Sequence, residues 1–501
     1  MWDAAATKAR MKPDKTLSPE TAKRLSEASA LRETGQVIEA ISAYKAVLAE
    51  APDLPDSWYN LGWLLRRAGE PRQAIEAYDR ALGLGIKDPE EVHLNRGVIF
   101  ADDLNAPDLA IKSYRTALSL NPDFVRARFN LANSLEDIGD RDGAASEYRT
   151  ILDRNPREAE PLARLANLST VNSADDGLVR RLESERARPE ISKASKASLE
   201  FALGRLLDQV GEYDRAFEAF KTANFASGAA RHPNSPTYDP VRHDAQVSAL
   251  IKVGLPTQAA VFKPSPIHPV FIVGQFRSGS TLLEQILSAH SEIDTGGELT
   301  LLPILAGRYL APYPQSLSNL SYEKTSNLRE AYLEGLKLRL PNATGIVTDK
   351  RPDNFYHVGL ILRMFPDAKI LHTVRDPRDT CLSNYFLHLS HQQPHALSLS
   401  HLGHHFRAYR RVMAHWKAIA PDRILDVDYD SMVQDPEAEI RKTLDFLNVP
   451  FEPACLDFQK SEAPVKTASV WQVREPLYQH SSGRWRNYES HLGPLLETLN
   501  D

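Results

Sequence analysis

From about residue 20 the small, apolar and aromatic positions of the chain repeat. Gly35, Gly69, Gly139 and Gly211 each lie nine residues before an aromatic, at Tyr44, Tyr78, Tyr148 and Phe220, and Ala40, Ala74, Ala144 and Ala216 each fall five residues after the glycine. One further copy keeps Ala110 and Tyr114 but has Asn105 in the glycine place. Tyr44 to Tyr78 is 34 residues, Tyr78 to Tyr114 is 36 and Tyr114 to Tyr148 is 34, with Pro52, Pro89, Pro122 and Pro156 closing successive units. A small residue lets two helices approach, an aromatic fills the gap to the next unit, and proline stops a helix. Between Leu168 and Ser198 the pattern degrades, and Leu199 to Asn224 is the last recognisable hairpin.

A period near 34 with these positions resembles the tetratricopeptide repeat, which implies an α-helical solenoid over residues 1–226. A Gly/Pro/Ser-rich passage at 227–240 and one amphipathic helix, about Val241 to Val253, make residues 227–266 a linker and connecting helix. Beyond it the pattern changes. Pro269 to Val273, Gly345 to Thr348, Ala368 to Val374 and Arg423 to Val427 are β-branched or aliphatic runs suited to buried strands. They alternate with helical segments at Ser280 to Leu287, Phe355 to Met364, Thr380 to Phe386 and Pro436 to Leu447. Such alternation predicts an α/β domain, residues 267–501, around a central parallel sheet that carries ligands at the carboxyl ends of its strands.

Candidate chemistry gathers first at the turn after the opening strand. Gly274 and Gly279 permit close backbone approach, and Ser280 and Thr281 stand at a helix start, where free N–H groups and the positive helix end converge on an anion. The spacing is that of the nucleotide-triphosphatase phosphate loop, except that Ser280 replaces its lysine. Without that lysine the loop suits a less demanding phosphate, with Arg277 supplying positive charge from inside the turn.

Phe276-Arg277-Ser278-Gly279-Ser280-Thr281-Leu282, followed by Gly297-Glu298, resembles the 5′-phosphosulfate loop and catalytic glutamate of sulfotransferases. The resemblance is to the tyrosylprotein branch and to bacterial sulfotransferases with tetratricopeptide repeats. Thr348-Asp349-Lys350-Arg351-Pro352, then Val374-Arg375-Asp376-Pro377-Arg378 with Ser383, are similar to the family's later cofactor segments. The resemblance implies the phosphate-loop sulfotransferase fold and a sulfuryl donor, 3′-phosphoadenosine 5′-phosphosulfate (PAPS), whose product is adenosine 3′,5′-bisphosphate. In that reading the backbone of Ser278, Gly279, Ser280, Thr281 and Leu282, with Arg277, holds the phosphosulfate, and Arg375 and Ser383 hold the 3′-phosphate. Lys350 stabilises the leaving oxygen, and Tyr429 lies near the nucleotide. Ser469 and Arg484 match cofactor positions in the C-terminal passage Lys466 to Arg486, where Trp471, Arg474, Tyr478 and Ser482 are weaker candidates. Glu298, 21 residues after Arg277 as in the tyrosylprotein family, is the candidate general base, with Glu292 and Asp294 as competing carboxylates. Lys350 could instead belong to a surface charge cluster with Asp349, Arg351 and Asp353.

With 60 Lys and Arg against 66 Asp and Glu, the chain makes no global electrostatic case for nucleic acid or an anionic membrane. Cys381 and Cys455 are its two cysteines, which points to a reducing compartment. The first residues lack the apolar core of a signal peptide, and no run approaches a membrane span, so a cytoplasmic protein is expected. His388, His391, His395, His401, His404, His405 and His415 form a histidine-rich stretch in which His401 and His405 share a helical face. No cysteine or carboxylate pattern accompanies them, and lining of an acceptor site or a polar helical surface is expected rather than a metal. The acceptor stays open among peptide tyrosine, sugar, lipid and small phenol, and the repeats are expected to recruit it or a protein partner. Two other readings stand beside this one: a nucleotide-dependent kinase-like enzyme on the same sheet, and a repeat-based binding module with an inactive second domain.

Overall fold

The structure, a computed structural model, describes residues 17–256, 260–389, 393–460 and 482–500. The chain forms two compact units, Met1–Pro161 and Leu162–Asp501.

In the first unit four helical hairpins follow one another. They are Pro19–Glu33 with Val37–Glu50, Pro55–Arg67 with Pro71–Gly83, Pro89–Val98 with Pro107–Leu120, and Val125–Ile138 with Arg141–Arg154. At each tight turn one residue takes the left-handed conformation: Gly35 (φ 76°), Gly69 (81°), Asn105 (50°) and Gly139 (86°). Asparagine is among the few side-chain-bearing residues that visit this region readily, so the odd copy keeps the same turn. Tyr44, Tyr78, Tyr114 and Tyr148 are all buried to 2% exposure or less. Each hairpin also places a small residue, Ala28, Gly62, Gly97 or Ala132, 16 or 17 positions before its tyrosine, and these are buried as well. A Cβ on Gly62 would lie 2.8 Å from the Tyr78 ring, so the tyrosine seats against the partner helix of its own hairpin. Pro89 opens a helix instead of closing one. Its fixed φ suits the first helical position, where an N–H has no intrahelical partner.

The second unit begins with helices, among them Gly177–Arg186 inside the irregular passage and the hairpin Lys193–Gln209 with Tyr213–Ala229. This hairpin keeps the repeat pattern, with Gly211 at φ 83° and Phe220 against Gly204, yet it is built into the second unit. The Phe220 ring stacks on Phe386 at 3.9 Å, and Asn224 Nδ2 donates to the Tyr385 carbonyl at 2.8 Å. The passage 227–266 likewise falls within this unit.

Five strands form the sheet: β1 (Ile267–Gly274), β2 (Ile293–Thr295), β3 (Gly345–Lys350), β4 (Ile370–Val374) and β5 (Ile424–Asp428). Their order is β2-β3-β1-β4-β5, and every pairing is parallel. β1 lies in the middle and is buried at every position but one. The connection after β1 leads to β2 at one edge, while that after β3 crosses to β4 on the other side, so the loops diverge at the carboxyl ends of the central strands. β2 has no counterpart among the sequence-predicted strands, because three residues are too few to display a period. Helices Ser280–Ser288 and Pro436–Leu447 pack their leucines and isoleucines on one face of the sheet. After β3 a 3₁₀ turn, Pro352–His357, precedes the helix Val358–Met364, where one continuous helix is expected.

Candidate active site

Register puts the candidate residues at one level. Ile272 pairs with Lys350 across β1 and β3, and Gly274 pairs with Thr373 across β1 and β4. From Gly274 the chain turns through the loop into the helix Ser280–Ser288. A Cβ on Gly274 would sit 2.5 Å from Thr373 Oγ1, and one on Gly279 would sit 2.7 Å from Tyr429 Cδ2, so both glycines are needed for close approach. Arg277 has φ 71°, a conformation that costs a side-chain-bearing residue energy and persists only where its surroundings impose it. Here its Nε donates to Ser383 Oγ at 2.9 Å, and its carbonyl accepts from Arg375 Nη1 at 3.1 Å. The Arg375 guanidinium also lies over the Tyr429 ring at 4.6 Å. The structure thus brings Arg277, Arg375, Ser383 and Tyr429 together around the loop. Ser278, Ser280 and Thr281 are buried in it, and Ser278 Oγ donates to the Gln275 carbonyl at 2.7 Å.

On the other side of β1, Lys350 Nζ donates to Glu298 Oε1 at 2.6 Å. The lysine side chain is 1% exposed and that of Glu298 35%, so the glutamate is reachable from solvent while the ammonium is enclosed. The backbone at Glu298 is fixed by Gly296 N–H to Thr348 O (2.9 Å) and Lys350 N–H to Gly297 O (3.0 Å). Lys350 and Asp349 are therefore core residues rather than members of a surface charge cluster. Burial lifts the Asp349 carboxyl to about 7, while Tyr332 Oη donates to it at 2.8 Å.

Sequence reasoning missed Glu284. One carboxylate oxygen accepts from Thr348 Oγ1 (3.0 Å) and the Gly297 N–H (3.1 Å), and the other lies 4.0 Å from Lys350 Nζ. Burial raises its pKa against the opposing pull of Lys350. Asp379 was missed too; it accepts from the backbone N–H groups of Gly483 (2.6 Å) and Trp485 (2.8 Å).

The Arg484 guanidinium pairs with Asp208 and lies 5.3 Å from the Phe386 ring centroid. Ser482 bonds Asp430. Ser469, Trp471, Arg474 and Tyr478 lie outside the described residues, as does His391. Of the remaining histidines, His388 stacks on Phe201 and His415 donates to the Val253 carbonyl. His395, His401, His404 and His405 gather with His243, Tyr238 and Tyr356. The His395 and His405 rings stack at 3.8 Å, and Tyr356 Oη bridges His243 (2.7 Å) and His405 (3.2 Å). Burial drives His395 down to about 3 and His243 to about 4, so both are neutral near pH 7. His405 reaches the loop through Gln275 Nε2 at 3.2 Å. Among the described residues no group of three or more His, Cys, Asp or Glu is arranged to hold a metal.

A parallel α/β domain whose central strand runs into a phosphate-type loop, with cationic side chains and a carboxylate at the strand ends, is the class that fold and site define. Residues 269–453 match the model of the sulfotransferase family, and residues 25–90 and 101–159 match that of the tetratricopeptide repeat. The chain thus joins tetratricopeptide repeats to a sulfotransferase-family domain. It is 31% identical over 388 residues to an uncharacterized protein of Aquifex aeolicus, covering 74% of this chain and 50% of that one. It is 27% identical over 241 residues to a protein-tyrosine sulfotransferase of Drosophila melanogaster, covering 43% and 46%. The sulfotransferase domain of the Synechococcus olefin synthase is a structural neighbour, with 22% identity, a TM-score of 0.37 and coverage of 49% of this chain and 96% of that one. The chain spans about half the length of the curated relatives it matches.

Proposed function

We propose that the second unit transfers a sulfuryl group from PAPS to a hydroxyl acceptor. The observation that carries this reading is the convergence, at the carboxyl ends of β1 and β3, of a phosphate-type loop with an enclosed lysine in contact with a solvent-reachable carboxylate. The residues fit a phosphate-bearing anion: a helix start, three buried hydroxyls and two arginine side chains surround the loop. When bound, PAPS supplies an electrophilic sulfur and a bisphosphate leaving group. The loop amides from Ser278 to Leu282 and Arg277 then bind the 5′ side, and Arg375 and Ser383 bind the 3′-phosphate with charge-assisted bonds. Tyr429 packs beside them. In that chemistry Glu298 would take the proton of the acceptor hydroxyl, and Lys350 would face the negative charge that the departing oxygen gains. Both roles require the ion pair seen here to part once substrates are in place.

Arg484 and Ser469 are proposed as further cofactor-binding residues, and Asp379 holds the backbone on either side of Arg484 through the Gly483 and Trp485 N–H groups. The repeats are proposed to recruit the acceptor or a protein partner, and the cytoplasm is the proposed site of action, in keeping with two buried free cysteines. Among the described residues no helix is long and apolar enough to cross a membrane.

A thermal-shift comparison tests the reading. Adenosine 3′,5′-bisphosphate should raise the melting temperature while ATP with magnesium does not; the reverse result would favour a kinase-like enzyme. Labelled sulfate from PAPS should then appear on an acceptor fraction of the host lysate without added metal. Loss of all transfer on chelation, restored by magnesium, would overturn the assignment of charge neutralisation to Lys350. Removal of residues 1–161 leaves the Asn224 to Tyr385 contact in place. It should spare bisphosphate binding and weaken use of the natural acceptor; full activity on that acceptor would assign the repeats another partner.

A further inference from the structure

Glu284 lies four residues into the helix that follows the phosphate loop, and every residue from Ser280 to Leu287 is buried. A carboxylate in that setting is costly unless its oxygens are used. Both are. Oε1 accepts from Thr348 Oγ1 at 3.0 Å and from the Gly297 N–H at 3.1 Å, while Oε2 faces Lys350 Nζ at 4.0 Å. Glu284 thereby lies 4.0 Å from one catalytic candidate and bonds the backbone just before the other.

The geometry has a further consequence for the ammonium. Lys350 sits between two carboxylates, one fixed in the core and one 35% exposed on the acceptor side. When Glu298 engages an acceptor hydroxyl, its 2.6 Å contact with Lys350 has to loosen. A buried ammonium that loses its nearest carboxylate is less well held in its charged form. We infer that Glu284 is a positioning residue that keeps Lys350 charged and aimed while Glu298 changes partner, and that holds Glu298 at its station through the Gly297 amide. This rests on the sulfuryl-transfer reading above. The helix that begins at the phosphate loop thus carries the anchor for the leaving-group lysine, so the donor grip and the proton-transfer side are joined by one rigid element.

Glu284→Gln in the full chain is the test. Its amide oxygen still accepts from Thr348 and Gly297, so the backbone is held, but the charge facing Lys350 is gone. Turnover should fall about 10- to 100-fold, the scale of a misplaced catalytic group, with the acceptor KM and the adenosine 3′,5′-bisphosphate affinity within two-fold of the parent. The alkaline limb of the kcat profile should move to lower pH. In ligand-free protein carrying carbon-13 at the lysine ε position, the Lys350 resonance, identified by its loss in Lys350→Arg, should titrate at lower pH than in the parent. Turnover within two-fold of the parent, or a loss of turnover and of thermal stability together with unchanged Lys350 titration, would overturn the inference. A parent protein that binds no adenosine bisphosphate would end the sulfuryl-transfer reading, while the Lys350 titration would still decide whether Glu284 holds the ammonium.

Discussion

The two units bury different things. In the repeats the largest fully buried side chains are tyrosines, two of them seated against a glycine, and Glu136 is the one charged residue among the buried polar groups described there. Its carboxylate accepts from Tyr148 Oη at 2.6 Å. The α/β unit instead encloses Glu284, Asp349, Lys350, Arg363 and Asp379 at 8% exposure or less, with neutral histidines behind the loop. Burying charge is costly unless each group finds a partner: Glu284 faces Lys350 beside β3, and Arg363 donates to the Gly359 and Gly254 carbonyls. The repeats are specified by fit and tolerate change wherever fit is kept. The site is specified by paired charges, so the loss of one partner is felt by the other.

Breaking the charge pairing should have the largest effects. Glu298→Gln keeps volume and hydrogen bonding but removes the proton acceptor, and kcat should drop about 10²- to 10⁴-fold with bisphosphate affinity nearly unchanged. Turnover within a few-fold of the parent, with chemistry rate-limiting, would move the base to Asp294 or to a histidine behind the loop. Lys350→Met removes the ammonium that faces the leaving oxygen. A fall in kcat of about 10²- to 10³-fold is expected in single-turnover assays, and a loss confined to KM would instead make the lysine a binding residue.

On the repeat side the matched change is Gly62→Ala. Its Cβ would lie 2.8 Å from the Tyr78 ring and 3.1 Å from the Ala74 carbonyl. Overpacking should cost more than the gain in helix propensity, a net loss of about 1 to 2 kcal/mol in denaturant unfolding. Bisphosphate affinity should be untouched; if it fell as well, stability of the repeats and function of the site would not be separable.

The smallest effect is expected at Asp426, away from the strand ends. Burial alone would raise its pKa, but hydrogen bonds from His372 and Lys417 outweigh it and hold the carboxyl at about 2. An unfolded aspartate protonates near 3.9. This pairing therefore stabilises the fold above about pH 4 and is lost as pH falls toward 2. Solvent screening at this half-exposed site limits it to less than about 1 kcal/mol. Calorimetry of Asp426→Asn should show a shallower acid-side decline than the parent, and an unchanged curve would remove the pair from the account.

Much of this protein is written in local pattern. The repeat period, the left-handed turn positions with Asn105 standing in for glycine, four of five strands and the phosphate loop all follow from residue types at short spacing, because backbone conformation and helix or strand burial are decided within a few residues. The tight seat of Tyr78 on Gly62 was not legible, since a glycine inside a helix carries no sign of which ring approaches it. The role of Glu284 was hidden in the same way. Four residues into a helix, a glutamate reads as a solvated face, and only the packing of that helix against β3 encloses it beside Thr348 and Lys350. The pairing of Arg484 with Asp208, 276 residues earlier in the chain, and the incorporation of the last repeat-like hairpin into the α/β unit are likewise tertiary decisions. The sequence by itself settled most of the helices and strands and the glycine-rich turn after β1, because those depend on neighbours along the chain. Only the tertiary structure decided which charges are buried together, because that depends on strand register and on how helices close over the sheet.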